Sequence, residues 1–277
     1  MCGNIKYNPK KYFSLTFLIT FILWTIGAYY SFENDDSFYM VYMLLGLITP
    51  FVVSLIMIYK SNNFYLKKDF FNKLVNIKLI NAKFLPFIFL IMPLVVLVSI
   101  LISLLFGESS AQFNISENFS FSTGVVPVLA LFLIAATFEE LGWRGYAFES
   151  LESRYNFLTA SIIFSILWSL WHLPLIYVNN SYQYEIVNQS IFYGINFYIS
   201  IIPMGIIISW ICIKNQKSIL SAILFHFIIN MSQEVLSMTQ FTKGIESAVL
   251  FVVVIVIVVM DKELFLSKTC NSSCGNL

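Results

Sequence analysis

The 277-residue chain is 58% hydrophobic and only 11% charged, with a mean hydropathy of +0.81 and a net charge of +1. Soluble domains carry about 25% charged residues, so this composition excludes a soluble enzyme and predicts an all-α, multi-pass integral membrane protein. The near-zero net charge supplies no field that would recruit nucleic acid, and no nucleic-acid partner is expected.

Apolar runs near the roughly 20 residues that a bilayer crossing needs mark eight spans. The first two run from Phe13 to Phe32 and from Phe38 to Tyr59. Between the second span and the third, residues 60–83 interleave Phe64, Tyr65, Phe70, Phe71, Leu74 and Ile77 with Lys67, Lys68, Lys73 and Lys78. That mixture predicts an amphipathic segment lying in the membrane interface. The third span is Phe84 to Phe106, and the fourth, Gly124 to about Ala147, runs into Phe138-Glu139-Glu140-Leu141-Gly142-Trp143-Arg144. Four more follow, near Thr159 to Tyr177, Gly194 to Ile213, Ser218 to Leu236 and Ile245 to Met260. Polar residues interrupt the fourth and the seventh. The first apolar stretch is long and is followed by no small-residue cleavage site, so it reads as a retained span. The tail cysteines Cys270 and Cys274 read as unpaired surface thiols.

Cytoplasmic connections are enriched in Lys and Arg. In this topology 15 of the 16 basic residues fall on one side, and Lys243 stands alone on the other. Both termini are therefore expected in the cytoplasm. With no internal repeat and no linker, residues 1–277 form a single membrane-embedded unit.

The ionisable residues of the spans are concentrated in the second half of the chain, and such residues at membrane depth point to a functional site. Glu139 and Glu140 are adjacent and so point about 100 degrees apart on a helix. Arg144 follows Glu140 by one turn, the favourable order for an ion pair, which gives Glu140 and Arg144 a supporting role. Glu139 has only Ala135, Ala136, Gly142 and Trp143 one turn away, none of which pairs with a charge, and is left to act. His226 and Asn230 share one helical face four residues apart. His172 follows Trp168 and Trp171 and precedes Pro174, which distorts a helix and can leave a carbonyl unpaired. At about 1.5 Å of rise per residue, all four groups fall at compatible depths in the half of the membrane nearer the basic side, around a pocket expected to open toward that side. Trp143, Trp168 and Trp171 are candidate pocket walls.

Over about Gly124 to Leu236 the chain resembles the CAAX protease and bacteriocin-processing family of intramembrane proteases, particularly its Ras-converting CAAX endopeptidase branch. The family's Glu-Glu-x-x-x-Arg stands here as Glu139, Glu140 and Arg144; its aromatic-then-His motif as Trp168 and His172, with Trp in place of the usual Phe; and its His-x-x-x-Asn/Asp as His226 and Asn230. Residues 124–236 are thus the expected catalytic core. The resemblance implies eight spans, a site facing the cytoplasm, and removal of the last three residues from proteins or peptides whose CAAX cysteine carries a prenyl group, with membrane lipid as the surroundings.

Peptide hydrolysis requires an activated water and stabilisation of an oxyanion. In the expected mechanism Glu139 is the general base, His172 orients the water, and His226 and Asn230 donate to the oxyanion, without a cofactor. An alternative uses Glu139, His172 and His226 as zinc ligands, the fourth position being water, although His-Glu-x-x-His is missing. Two further alternatives are a bis-histidine haem protein and a peptide-binding membrane protein of the immunity type.

Overall fold

The computed structural model describes residues 7–33, 36–116 and 127–267. The tail cysteines and the start of the expected catalytic core, residues 124–126, lie outside the described residues.

The chain is a helical bundle: α1 (Pro9–Phe32), α2 (Asp36–Lys60), α3 (Phe64–Val75), α4 (Leu85–Leu104), α5 (Val128–Gly142), α6 (Phe148–Glu152), α7 (Phe157–Trp171), α8 (Tyr182–Gln189), α9 (Ile191–Lys214), α10 (Ile219–Glu234), α11 (Gln240–Met260) and α12 (Lys262–Leu266). Among the described residues the one β-type pairing is an isolated antiparallel bridge between Ile115 and Leu236. Six segments of 21 to 24 residues are long and apolar enough to cross a membrane. They match the expected first, second, third, fifth, sixth and eighth spans. The fourth and seventh are built differently. Helix α5 ends after 15 residues in a π-helical turn, Trp143–Ala147, before continuing as α6, and α10 is a shorter apolar helix of 16 residues.

Burial is inverted relative to a soluble protein. Leu18, Val41, Leu94 and Ile255 are exposed, whereas Thr16, Thr20, Ser99, Ser161 and Ser165 are fully buried. Small side chains let the backbones approach closely. A Cβ on Gly142 of α5 would sit 2.4 Å from the backbone of Pro50 in α2, and one on Gly205 of α9 would sit 2.4 Å from Ser165 Oγ of α7. Pro50 has no N–H to give the carbonyl of Gly46 one turn earlier. Thr20 of α1 donates to that carbonyl at 3.4 Å, and Trp24 donates to the Met43 carbonyl at 3.1 Å.

The bundle has two unlike ends. Both α1 and α3 begin near the lysine-rich end, where Asn63 caps α3 and Leu66 and Phe70 of α3 are buried while Phe64, Tyr65 and Phe71 stay exposed. Helix α3 therefore has the two-faced character expected of the 60–83 segment. A half-buried ion network ties this end together. Lys73 pairs with Asp69 and Glu149, Lys217 pairs with Glu152 at 2.9 Å, and the Tyr7 hydroxyl donates to Glu149 at 2.7 Å. Burial opposes the charge on Glu149, but Lys73 and Lys217 outweigh it and draw the carboxyl down to about 2. The opposite end holds α8, the 3-10 turns Ser110–Phe113 and Leu173–Tyr177, and the start of α11. It is tied by Asn179 to Ser31 and by Thr239 to Glu108 and Gln112.

Candidate active site

Glu139, His172, His226 and Asn230, contributed by α5, the end of α7 and α10, all line one cavity of about 750 Å³, within the size range of ligand sites. The two acidic residues of α5 diverge as their adjacency requires. Glu139 lines the cavity; Glu140 is completely buried behind it.

Glu140 is the hub of the supporting layer. Arg144 Nη1 lies 2.9 Å from its Oε2, and His226 Nδ1 lies 2.9 Å from its Oε1. Arg144 is also held by Ser209 Oγ at 3.3 Å and by the face of Phe164, 4.3 Å from the ring centre. The Glu140–Arg144 pair follows from i,i+4 spacing. The link to His226, 86 residues away, had no local signal and is an addition that the fold makes. Because a carboxylate only accepts, His226 Nδ1 carries the hydrogen, and its Nε2 faces away from Glu140.

His172 is fixed by a different device. Pro174 terminates α7 at Trp171, so the His172 backbone N–H turns to the Ser169 carbonyl at 3.1 Å. The Trp168 carbonyl, which an uninterrupted helix would have paired with that N–H, instead accepts from His172 Nδ1 at 2.8 Å. The ring's own side chain therefore captures the carbonyl released by the proline, and Nε2 is left with its lone pair in the neutral imidazole.

Among the described residues Glu139 has no Lys or Arg in ion-pair contact. Trp168 Nε1 donates to its Oε2 at 2.8 Å and Trp143 Nε1 to the same oxygen at 3.4 Å, which leaves Oε1 for a ligand in the cavity. Two of the three tryptophans thus act on the carboxylate through their indole N–H groups. Trp143 is fully buried behind Glu139 and is no part of the cavity wall. Trp168 and Trp171 do line it, and the Trp171 indole is anchored to Thr20 Oγ1 at 3.1 Å. Asn230 Nδ2 lies 3.5 Å from the Phe132 carbonyl, a long contact that leaves its amide available.

The expectation that the pocket opens toward the lysine-rich side is corrected. The lining residues of α2 run only from Tyr39 to Leu47, those of α10 from His226 to Glu234, and those of α11 from Gln240 to Glu246. All lie in the half of the bundle away from the lysine-rich end, with Asn179, Asn180 and Gln183 also lining the cavity there. Toward the lysines the floor is closed by packing. Trp143, Phe164, Phe148 and Arg144 are buried beneath Glu139 and the two histidines, and Trp143, Phe148 and Trp168 each pack against Phe164 with ring centres about 6 Å apart. The described ends of the chain, at Tyr7 and Ser267, and the open side of the cavity therefore lie at opposite ends of the bundle. The first two helices, which carry no motif, supply one wall through Trp24, Met40, Met43, Leu44 and Leu47.

The donor geometry tests the cofactor alternatives. Among the described residues no three His, Cys, Asp or Glu side chains are grouped to hold a metal ion. A macrocycle between the two imidazoles would have to displace Trp168, whose ring centre lies 5.3 Å from that of His226 and 6.0 Å from that of His172.

Residues 121–232 match the family described as Type II CAAX prenyl endopeptidase Rce1-like. CAAX prenyl protease 2 of Methanococcus maripaludis is 61% identical over 269 residues, which is 97% of this chain and 99% of that protein. With that identity sustained along nearly the whole length, and with all three motifs brought to a single cavity, the chain belongs to the Rce1-like family of type II CAAX prenyl endopeptidases.

Proposed function

We propose that the protein is an intramembrane endopeptidase that removes the C-terminal tripeptide of prenylated CAAX proteins by a glutamate-activated water; its relative bears the name CAAX prenyl protease 2. The observation that carries the mechanism is Glu139: a carboxylate at the floor of a cavity, oriented on one oxygen by two neutral indole donors and free of any ion pair. Glu139 Oε1 takes a proton from water while the His172 Nε2 lone pair accepts the other O–H and aligns the attack. Residues 124–236 form the core that does this chemistry, within one unit spanning residues 1–277.

The tetrahedral oxyanion is stabilised by His226 Nε2 and Asn230 Nδ2. Since Nδ1 already donates to Glu140, Nε2 donates only when the ring is an imidazolium. Glu140 offsets that charge, with Arg144 in turn holding Glu140 in place. The proton held by Glu139 then passes to the leaving amine. No metal is required by this scheme. The test is mass-spectrometric cleavage of a prenylated CAAX peptide by wild type and Glu139→Gln. The variant is expected to fold, to bind peptide and to lose about 10²–10⁴-fold in rate; retained cleavage refutes Glu139 as the base. Wild-type protein whose activity vanishes on demetallation and returns only with zinc refutes the metal-free scheme.

We assign the cavity face to the cytoplasmic side, as the family resemblance implies. Eight crossings then place both termini and the lysine-rich end on the opposite side, against the charge rule. An impermeant thiol reagent applied to single cysteines at Asn180 and at Lys11 in sealed right-side-out vesicles decides the orientation. Labelling at Lys11 alone supports the assignment, and labelling at Asn180 alone reverses it.

A further inference from the structure

The cavity carries a second polar cluster that plays no part in the chemistry above. Near its mouth, Gln233 of α10 donates to the buried carboxylate of Glu246 on α11 at 2.6 Å. One turn before Glu246 on the same wall stands Lys243, the only Lys or Arg among the residues that line the cavity. Its ammonium donates to the Tyr182 hydroxyl at 2.9 Å and lies 4.4 Å from the centre of that ring, and Gln240 reaches the same hydroxyl at 3.2 Å. Lys73, Lys214 and Lys217 each hold a carboxylate directly; the Lys243 ammonium is held by the tyrosine, with Glu234 and Glu246 near enough to act on its charge. An ammonium has three N–H donors, so one held by a hydroxyl and an aromatic face keeps donors for an anion in the cavity.

The spacing identifies the anion. Gln233 lies seven residues beyond His226, two turns along the same face or about 10 Å, and Lys243 lies about 4.5 Å nearer the mouth than Glu246, some 15 Å from His226 in all. A substrate whose scissile carbonyl sits at His226 reaches about 10 Å further in three extended residues, plus a hydrogen bond of about 3 Å at each end. The two lengths agree. We infer that Lys243 binds the α-carboxylate of the substrate, and that the distance from His226 to Lys243 sets the length of the released peptide at three residues. Glu234 and Glu246, on the same wall, repel a carboxylate placed anywhere but against Lys243, which sharpens the register.

The inference rests on the peptidase reading and is tested so that the two fail differently. A prenylated CAAX peptide with a free C-terminus and its C-terminal amide are compared on wild type, Lys243→Met and Lys243→Arg, each checked for folding by thermal denaturation. Wild type is expected to show a KM for the acid at least about tenfold below that for the amide. Lys243→Met raises the KM of the acid to that of the amide, and Lys243→Arg recovers part of the preference. Equal KM values for acid and amide in wild type overturn the carboxylate site and leave the peptidase reading standing, as does a Lys243→Met that weakens both peptides equally, the behaviour of a structural or lipid-facing lysine. Cleavage of neither peptide by folded wild type removes the peptidase reading itself, and this inference with it.

Discussion

Removing Glu140 should damage the protein in two separable ways, because this one buried carboxylate serves a guanidinium and an imidazole at once. Glu140→Gln leaves Arg144, itself 2% exposed, facing an amide instead of a charge. Breaking a buried pair by removing one partner costs about 3–5 kcal/mol, offset only in part by Ser209 and the Phe164 face. The same change removes the charge that favours an imidazolium at His226, and cleavage should fall by at least about 100-fold. The double variant Glu140→Leu/Arg144→Met separates the effects. Replacing both members of a buried pair by apolar residues of similar volume is close to neutral, so most of the lost stability should return, less about 1–3 kcal/mol for the orphaned Nδ1–H of His226. Activity should not return. Thermal denaturation in detergent and peptide cleavage, measured on the same three samples, report the two quantities. If the double variant regained wild-type cleavage, Glu140 would act only through the fold, and the claim that it sets the protonation of His226 would be wrong.

Two further outcomes are expected. Trp168→Phe keeps the ring but removes the 2.8 Å donor to Glu139; hydrogen bonds to charged groups contribute about 1.5–3 kcal/mol, so kcat should drop about tenfold or more with KM little changed, and an unchanged kcat would show that Trp143 suffices. Glu149 is drawn below its ordinary 4.5 to about 2, so it stabilises the folded protein above pH 4.5 and that stabilisation is lost as pH falls toward 2, amounting to about 3 kcal/mol at most. A plot of Tm against pH should decline over that interval for wild type and stay flatter for Glu149→Gln, whose Tm at neutral pH should already be lower; parallel curves would contradict the assignment.

Features set by local spacing were legible in the sequence. The i,i+4 rule paired Glu140 with Arg144 and put His226 beside Asn230, and apolar runs located the helices, including the two that polar residues interrupt. Contacts between distant segments were not legible. Neither the Glu140–His226 bond nor the Trp168 donor to Glu139 leaves a local trace, because each depends on how α5, α7 and α10 rotate against one another; the Trp143 donor has i,i+4 spacing and was passed over because an indole carries no charge. The direction of the pocket was misjudged for a related reason. Counting residues from a span end fixes depth, but it does not say whether the space above or below that depth is filled. Here Trp143 and Phe164 fill the lysine-rich side, and the early termination of α7 at Trp171 leaves the other side open. The contribution of α1 and α2 was invisible because apolar wall residues look like any other membrane-facing residues.

The π-helical turn at Trp143–Ala147 has a consequence for sequence change in this chain. Such a turn accommodates one residue more than an α-helical turn does, and so offsets the phase of everything after it by roughly 100 degrees. Upstream of the offset the helix addresses the cavity with Glu139; downstream it addresses the lysines with Glu149 and Glu152. Deleting one residue within the turn would therefore be absorbed: the turn becomes α-helical while the acidic doublet upstream and Glu149 and Glu152 downstream keep their directions, so that a one-residue loss at this point leaves the two ends of the bundle coupled.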